Sequence, residues 1–302
     1  MKKHVSLILA LLICLFATSC AHNAQPAVSV QIDADSAVVS YLGPVGTYTQ
    51  EACGVFFEKQ GSYIPCVTVQ DAVDTLLRGD SKYAVIPQEN TIGGAVIDYV
   101  DTLIAYTEVS VVGEVELPIN QNLLALPNAE LGDIKTVYSH SQGITQGKAW
   151  LEEHIPHAEV IEVSSTAEGA RMVSESQDIS CAAIASAACA DVYGLQILGA
   201  AIQNNDSNKT RFYVLSLEEP ATAQAERMAF IAMGDAAALP ALMAQMERQN
   251  MTLIALHDRP LKTELGQYFY LIECANSNYE GYLKLTEKNG FEFRYLGSFD
   301  VQ

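Results

Sequence analysis

Apolar and polar positions along the chain change period repeatedly, and the order of those changes predicts its elements. An apolar strand at Val38–Leu42 runs into a glycine turn at residues 43–47, and residues 50–59 carry a helical period. The same reading gives a helix at 70–77, a buried strand at 83–86, a polar loop at 87–94 and a helix at 95–105. Residues 108–126 read as extended, with Val109, Val111, Val115 and Leu117 alternating, and are long enough to carry the chain from one lobe to another. A strand ending at residues 137–140 precedes a helix at 142–153, with Ile144, Trp150 and Leu151 as its core face. A strand at 160–163 leads through Ser164, Ser165 and Thr166, a hydroxyl-rich N-cap, into a helix at 167–174. Strand 182–185, helix 187–193 and strand 195–198 follow, and the polar loop from Asn204 enters a strand with the aromatic and β-branched run 212–215. This alternation specifies α/β layers, in which ligands sit beyond the C-terminal ends of strands, and the polar clusters fall there. After a linker at 219–225 the order becomes strand, helix, strand, strand, helix, strand over 226–302, the ferredoxin-like βαββαβ plan.

The N-terminus has a different pattern. Lys2 and Lys3 precede an apolar run, residues 5–16, that is too short to span a bilayer and suits a secretory signal. Ala17-Thr18-Ser19 then leads to Cys20, an arrangement similar to a bacterial lipobox, so residues 1–20 are expected to be a signal peptide of lipoprotein type, with lipid on Cys20. Residues 21–37 read as a tether. The implied location is outside the cytoplasm, on a membrane held only through this anchor. Five further cysteines, at 53, 66, 181, 189 and 274, show neither CxxC nor zinc-ligand spacing, which favours buried thiols; Cys53 with Cys66 is the pairing to test.

At 302 residues the chain predicts two folded units, and a net charge of -19 argues against nucleic acid as a partner. An anionic ligand would need local donors to hold it against that field. Thr210 and Arg211 supply candidate chemistry at a loop-to-strand junction: Arg211 has the fork that grips a carboxylate, and Thr210 has a hydroxyl that can donate to a leaving oxygen. The turn at Thr47 exposes backbone N–H groups to an anion.

Six segments then fall in order: Gly-Pro-x-Gly-Thr at Gly43, Glu-Asn-Thr at Glu89, Ser-His-x-Gln at Ser139, Ser-Thr-Ala-Glu at Ser165, Ala-Ala-Ile-Ala-Ser at Ala182 and Asn-x-Thr-Arg-Phe ending at Phe212. Together they resemble prephenate dehydratase with a C-terminal ACT domain, over nearly everything from Val38 onward. The resemblance implies a catalytic domain at 38–218, two lobes of periplasmic-binding-protein type with the site in their cleft, then an ACT domain at 226–302. It implies loss of carbon dioxide and the ring hydroxyl from prephenate, without a cofactor or metal, and assigns the chemistry to Thr210 with Asn90, Ser139 and Gln146. Arg211, Phe212, Thr47, Ser165 and Thr166 become substrate-binding candidates. Arogenate remains open as a substrate, as does a non-catalytic aromatic-acid sensor. Paired ACT domains imply a homodimer or homotetramer. Effector candidates are Ala238 and Leu239, where regulated relatives have a Gly-Ala-Leu turn, and Arg259 and Pro260, the end of His257-Asp258-Arg259-Pro260 in place of Glu-Ser-Arg-Pro. The altered turns imply weak control by phenylalanine. Ser141 replaces a usual proline, and Gln88 stands where the family has an aliphatic residue.

Overall fold

The computed structural model describes residues 28–302 except 30, 33, 35, 277, 288 and 289. The expected signal segment and Cys20 lie outside the described residues. The first lobe runs β1 (Val38–Leu42), α1 (Tyr48–Phe56), β2 (Ser62–Cys66), α2 (Val69–Leu77), β3 (Tyr83–Asn90), β4 (Gly94–Ala95), α3 (Ile97–Ala105) and β5 (Ser110–Pro118). The chain crosses to a second lobe of β6 (Asn122–Ala125), β7 (Thr136–Ser139), α4 (Ser141–His154), β8 (Glu159–Glu162), α5 (Thr166–Ser176), β9 (Cys181–Ala185), α6 (Ala187–Tyr193) and β10 (Gln196–Gly199). It then returns as β11 (Lys209–Ser216) to the first.

The helices start where the sequence supplies an oxygen for an orphan N–H. Thr47 accepts from Gln50 N, Ser165 from Glu168 N, and Thr68 closes a reciprocal box with Asp71. The first sheet has the order β2-β1-β3-β11-β5, with β1 parallel to β2 and β3, and β11 antiparallel to β3 and β5. The second sheet is β10-β6-β9-β7-β8.

The C-terminal domain comprises β12 (Arg227–Asp235), α7 (Leu239–Arg248), β13 (Thr252–Pro260), β14 (Gln267–Ala275), α8 (Tyr279–Thr286) and β15 (Glu292–Phe299). Its antiparallel sheet, β13-β14-β12-β15, is the ferredoxin-like order expected of an ACT domain. Along β12 the alternation is complete: Met228 and Phe230 pack under the two helices, whereas Ala229 and Ile231 join the first lobe's Tyr99, Tyr213 and Leu215 in one apolar core. Chain boundary and packing boundary therefore differ. The last residues reinforce the junction, since Gln302 N donates to Glu114 O at 2.9 Å and Glu116 N to Gln302 O at 2.9 Å.

The expected tether is anchored from Val28, whose carbonyl accepts from Thr222 N at 2.9 Å and Ala223 N at 3.0 Å. Ile32 and Ala34 pack on the first lobe's core. Cys53 and Cys66 are not joined, and all five described cysteines are free. Among the described residues no helix is long and apolar enough to cross a membrane.

Candidate active site

Between the lobes lies a cleft of about 430 Å3. The first lobe lines it with Thr47, Tyr48, Asn90, Thr210 and Phe212, and the second with His140, Gln142, Gln146, Ser165 and Thr166. Gln121, from the crossing, sits between them. Thr210 and Asn90 are directly opposed in the β11–β3 ladder. Asn90 is buried and held by its own loop: its Oδ1 accepts from Ile92 N at 3.0 Å and Gly93 N at 2.8 Å. That leaves the two hydrogens of Nδ2 to share among Asn208 Oδ1 at 2.8 Å, Thr210 Oγ1 at 2.9 Å and Lys209 O at 3.1 Å. With the Thr210 oxygen accepting from an amide, the hydroxyl hydrogen is free to serve a cleft ligand.

Four helices begin at this cleft: α1 behind Thr47, α3 behind Val96, α4 behind His140 and α5 behind Ser165. Their N-terminal N–H groups and dipoles supply positive potential. No lining residue is Lys, Arg, Asp or Glu, so this backbone field acts on a ligand without competition from charged side chains. The turn before α1 needs glycine: Gly46 has φ +90, and a Cβ there would sit 3.0 Å from Cys189 Sγ of α6. The Cys189 and Ser186 side chains both donate to Gly46 O at 3.1 Å, which joins the lobes beside the site. Burial raises the Cys189 thiol to about 11, so it stays protonated in this role.

Arg211 does not reach the cleft, which corrects the expected carboxylate clamp. Side chains alternate along β11, so Thr210 and Phe212 face the cleft while Arg211 and Tyr213 face the C-terminal domain. There the Arg211 guanidinium binds Glu114 through Nε at 2.6 Å and Nη2 at 3.0 Å, and also pairs with Glu89 and Glu273. Arg227 bonds the same Glu114 and Glu273. Burial alone would depress the Arg211 guanidinium, but the Glu114 bonds and the Glu273 charge outweigh it and raise its pKa. Glu114 moves upward in turn, because burial and the nearby Glu273 charge exceed the pull of its arginines.

The family model described as prephenate dehydratase matches residues 39–220, more than half of the chain. The chain belongs to the prephenate dehydratase family. It is 30% identical to the prephenate dehydratase of Bacillus subtilis, over 86% of this chain and 98% of that one. It is 35% identical to a bifunctional chorismate mutase/prephenate dehydratase of Neisseria gonorrhoeae, across 78% of this chain but only 65% of the relative's length. Among solved structures, a prephenate dehydratase from Arthrobacter aurescens in complex with L-Phe matches with a TM-score of 0.79 and 27% identity, over 87% of this chain and 89% of that one. A prephenate dehydratase is a lyase of phenylalanine biosynthesis.

Of the family motif residues, Ser139 lies outside the cleft lining. It is fully buried and donates to Ile184 O at 2.8 Å, and it sits so close under α4 that a Cβ on Gly143 would come 2.5 Å from its Oγ. A strand-end hydroxyl this enclosed supports α4 and has no path to a ligand. Gln146 does line the cleft, and its Oε1 accepts from Gln121 Nε2 at 3.1 Å, so its amide donor is the half offered to a ligand. Sequence reasoning missed Gln121 and Asn208. Asn208 lay within the quoted motif, but Gln121 is a single amide in an extended crossing and carries no local signal. The effector candidates do not share a cavity. Leu239 packs on the C-terminal core, whereas Arg259 and Pro260 line a separate hollow of about 310 Å3 with Asp101. Arg259 is paired to Asp101 of α3 through Nε at 2.5 Å and Nη2 at 2.9 Å.

Proposed function

We propose that the cleft dehydrates and decarboxylates prephenate with Thr210 as donor to the departing hydroxide. The observation that carries this reading is the Asn90 Nδ2 bond to Thr210 Oγ1, which occupies the oxygen as acceptor and leaves the hydrogen of this cleft-lining hydroxyl to donate. As the ring carboxylate leaves as carbon dioxide, its bonding electrons flow into the ring and expel the ring oxygen as hydroxide. Hydroxide is a poor leaving group, and a donor aimed at it acts where negative charge develops. The side-chain carboxylate is held at helix N-termini by backbone N–H and the hydroxyls of Ser165 and Thr166, in place of an arginine, while Thr47 keeps its hydroxyl on Leu42 O. Phe212, at the cleft wall beside Thr210, supplies an apolar surface for the ring. The lining holds no carboxylate to pair with an ammonium group, which favours prephenate over arogenate.

The decisive experiment assays phenylpyruvate formation by Thr210→Val. Loss of one such donor lowers kcat on the order of 10²- to 10³-fold. A folded Thr210→Val protein with full turnover would overturn the assignment.

The N-terminal sequence supports export and lipid attachment at Cys20. Cys20→Ser would then release the protein from the membrane fraction, and wild-type protein found in the cytoplasm would refute it. The open edge of β13, with Leu253 and Ile254 exposed, supports assembly into a dimer or tetramer through C-terminal domains, testable by light scattering. A relative has been captured with L-Phe. In this chain the altered turns and the engaged Arg259 support weak phenylalanine control.

A further inference from the structure

Glu273 lies on β14 of the C-terminal domain and is 1% exposed. Its carboxylate receives Gln88 Nε2 at 2.8 Å, Arg227 Nη1 at 3.1 Å, and closer contacts from Arg211 Nη2 and Tyr213 OH. Three of those four donors belong to the catalytic domain, on the two strands that carry Asn90 and Thr210. The ladder between these strands is irregular at this point. Arg211 pairs with Glu89 and Phe212 with Pro87, so Gln88 is the extra residue of a β-bulge. A bulge leaves one residue outside the ladder and re-aims its neighbours. Pro87 adds no N–H to repair it. The Gln88 side chain, 1% exposed, has an Oε1 with no partner among the described residues, and its Nε2 donates to Glu273 at 2.8 Å.

We infer that Glu273 is a positioning residue for the dehydration: by gripping Gln88 on β3 and Arg211 on β11 it fixes the two strands at the bulge and keeps Asn90 Nδ2 within bonding distance of Thr210 Oγ1. The inference rests on the reading of Thr210 as the donor. A donor displaced by about 1 Å loses on the order of 10²-fold in rate while substrate contacts elsewhere persist. The effect therefore falls on kcat, whereas loss of a substrate contact would raise KM.

The test uses the full chain with Glu273→Gln, and with Glu273→Asp as the variant that keeps the charge. The comparison is Asp101→Asn, which breaks a different, exposed contact between the same domains. The expected result for Glu273→Gln is a kcat lower by roughly 10- to 100-fold with KM within about twofold of wild type. Glu273→Asp recovers part of the rate, and Asp101→Asn leaves kcat unchanged. Wild-type kcat in folded Glu273→Gln would overturn the inference, and so would a loss that matches the unfolded fraction seen by circular dichroism. If Glu273→Gln does not fold, Glu273→Asp decides by the same criteria. Thr210→Val assayed alongside separates the two claims. Full activity there removes the donor reading and this inference with it, whereas an inactive Thr210→Val beside a fully active Glu273→Gln removes this inference alone.

Discussion

Thr210 and Arg211 are neighbours in the chain and leave β11 on opposite faces, one into the interlobe cleft and the other into a buried carboxylate cluster shared with the C-terminal domain. The peptide bond between them thus joins the cleft wall to the contact between domains.

Replacing Asn90 with alanine removes the donor to Thr210 and the acceptor for two loop amides. The expected outcome is a stability loss of about 1–3 kcal/mol together with a fall in kcat. Urea unfolding and steady-state rates measured on one preparation check both; a stable Asn90→Ala with wild-type kcat contradicts the geometry.

Arg211→Met leaves Glu114 and Glu273 buried with Arg227 as their remaining cation. Breaking a buried pair in this way costs on the order of 3–5 kcal/mol. The loss should show in denaturation midpoint and kcat. A variant that kept its midpoint but raised KM would restore the carboxylate clamp.

His257 packs edge-on to Tyr99 at the domain junction, with Glu89, Arg211, Glu273 and Asp258 around it. Burial pushes its pKa below the usual 6.5. A depressed folded pKa contributes stability above 6.5, lost as pH falls through the folded value. Melting temperature should therefore decline as pH falls below 6.5, and His257→Gln should flatten that decline. An unchanged profile in His257→Gln would assign the pH dependence elsewhere. Glu51 and Glu114, raised above 4.5 chiefly by burial, act in the opposite sense as pH falls, so the histidine's part is read from the difference between wild type and His257→Gln.

Phenylalanine should neither inhibit nor stabilise the protein appreciably. A ligand at about 100 times its Kd adds about 2.7 kcal/mol of stability, so a thermal melt with phenylalanine is a sensitive check. A clear rise in melting temperature together with inhibition would show that Leu239 and Arg259 still belong to a working site.

Much of this arrangement is legible locally. Thr47 and Ser165 announce helix starts because a hydroxyl beside a helical period has one cheap use, and the βαββαβ order follows from period changes alone. The insertion of β11 between β3 and β5 is not legible, since an apolar run such as 212–215 suits any buried strand. Arg211 reads as a carboxylate clamp for a related reason. Strand alternation already separates it from Thr210, but its partners Glu114 and Glu273 lie 97 and 62 positions away and give no sign in the adjacent sequence. Ser139 reads as catalytic by motif because enclosure under Gly143 is a tertiary fact.

The central place of β11 also sets an order of events during synthesis. The second lobe is contiguous and can complete its sheet once residue 199 has emerged. The first lobe is left with β3 and β5 unjoined until Lys209–Ser216 arrives between them. A chain stopped shortly before Lys209 would hold one finished lobe and one open sheet, with its apolar strands exposed to whatever handles nascent protein.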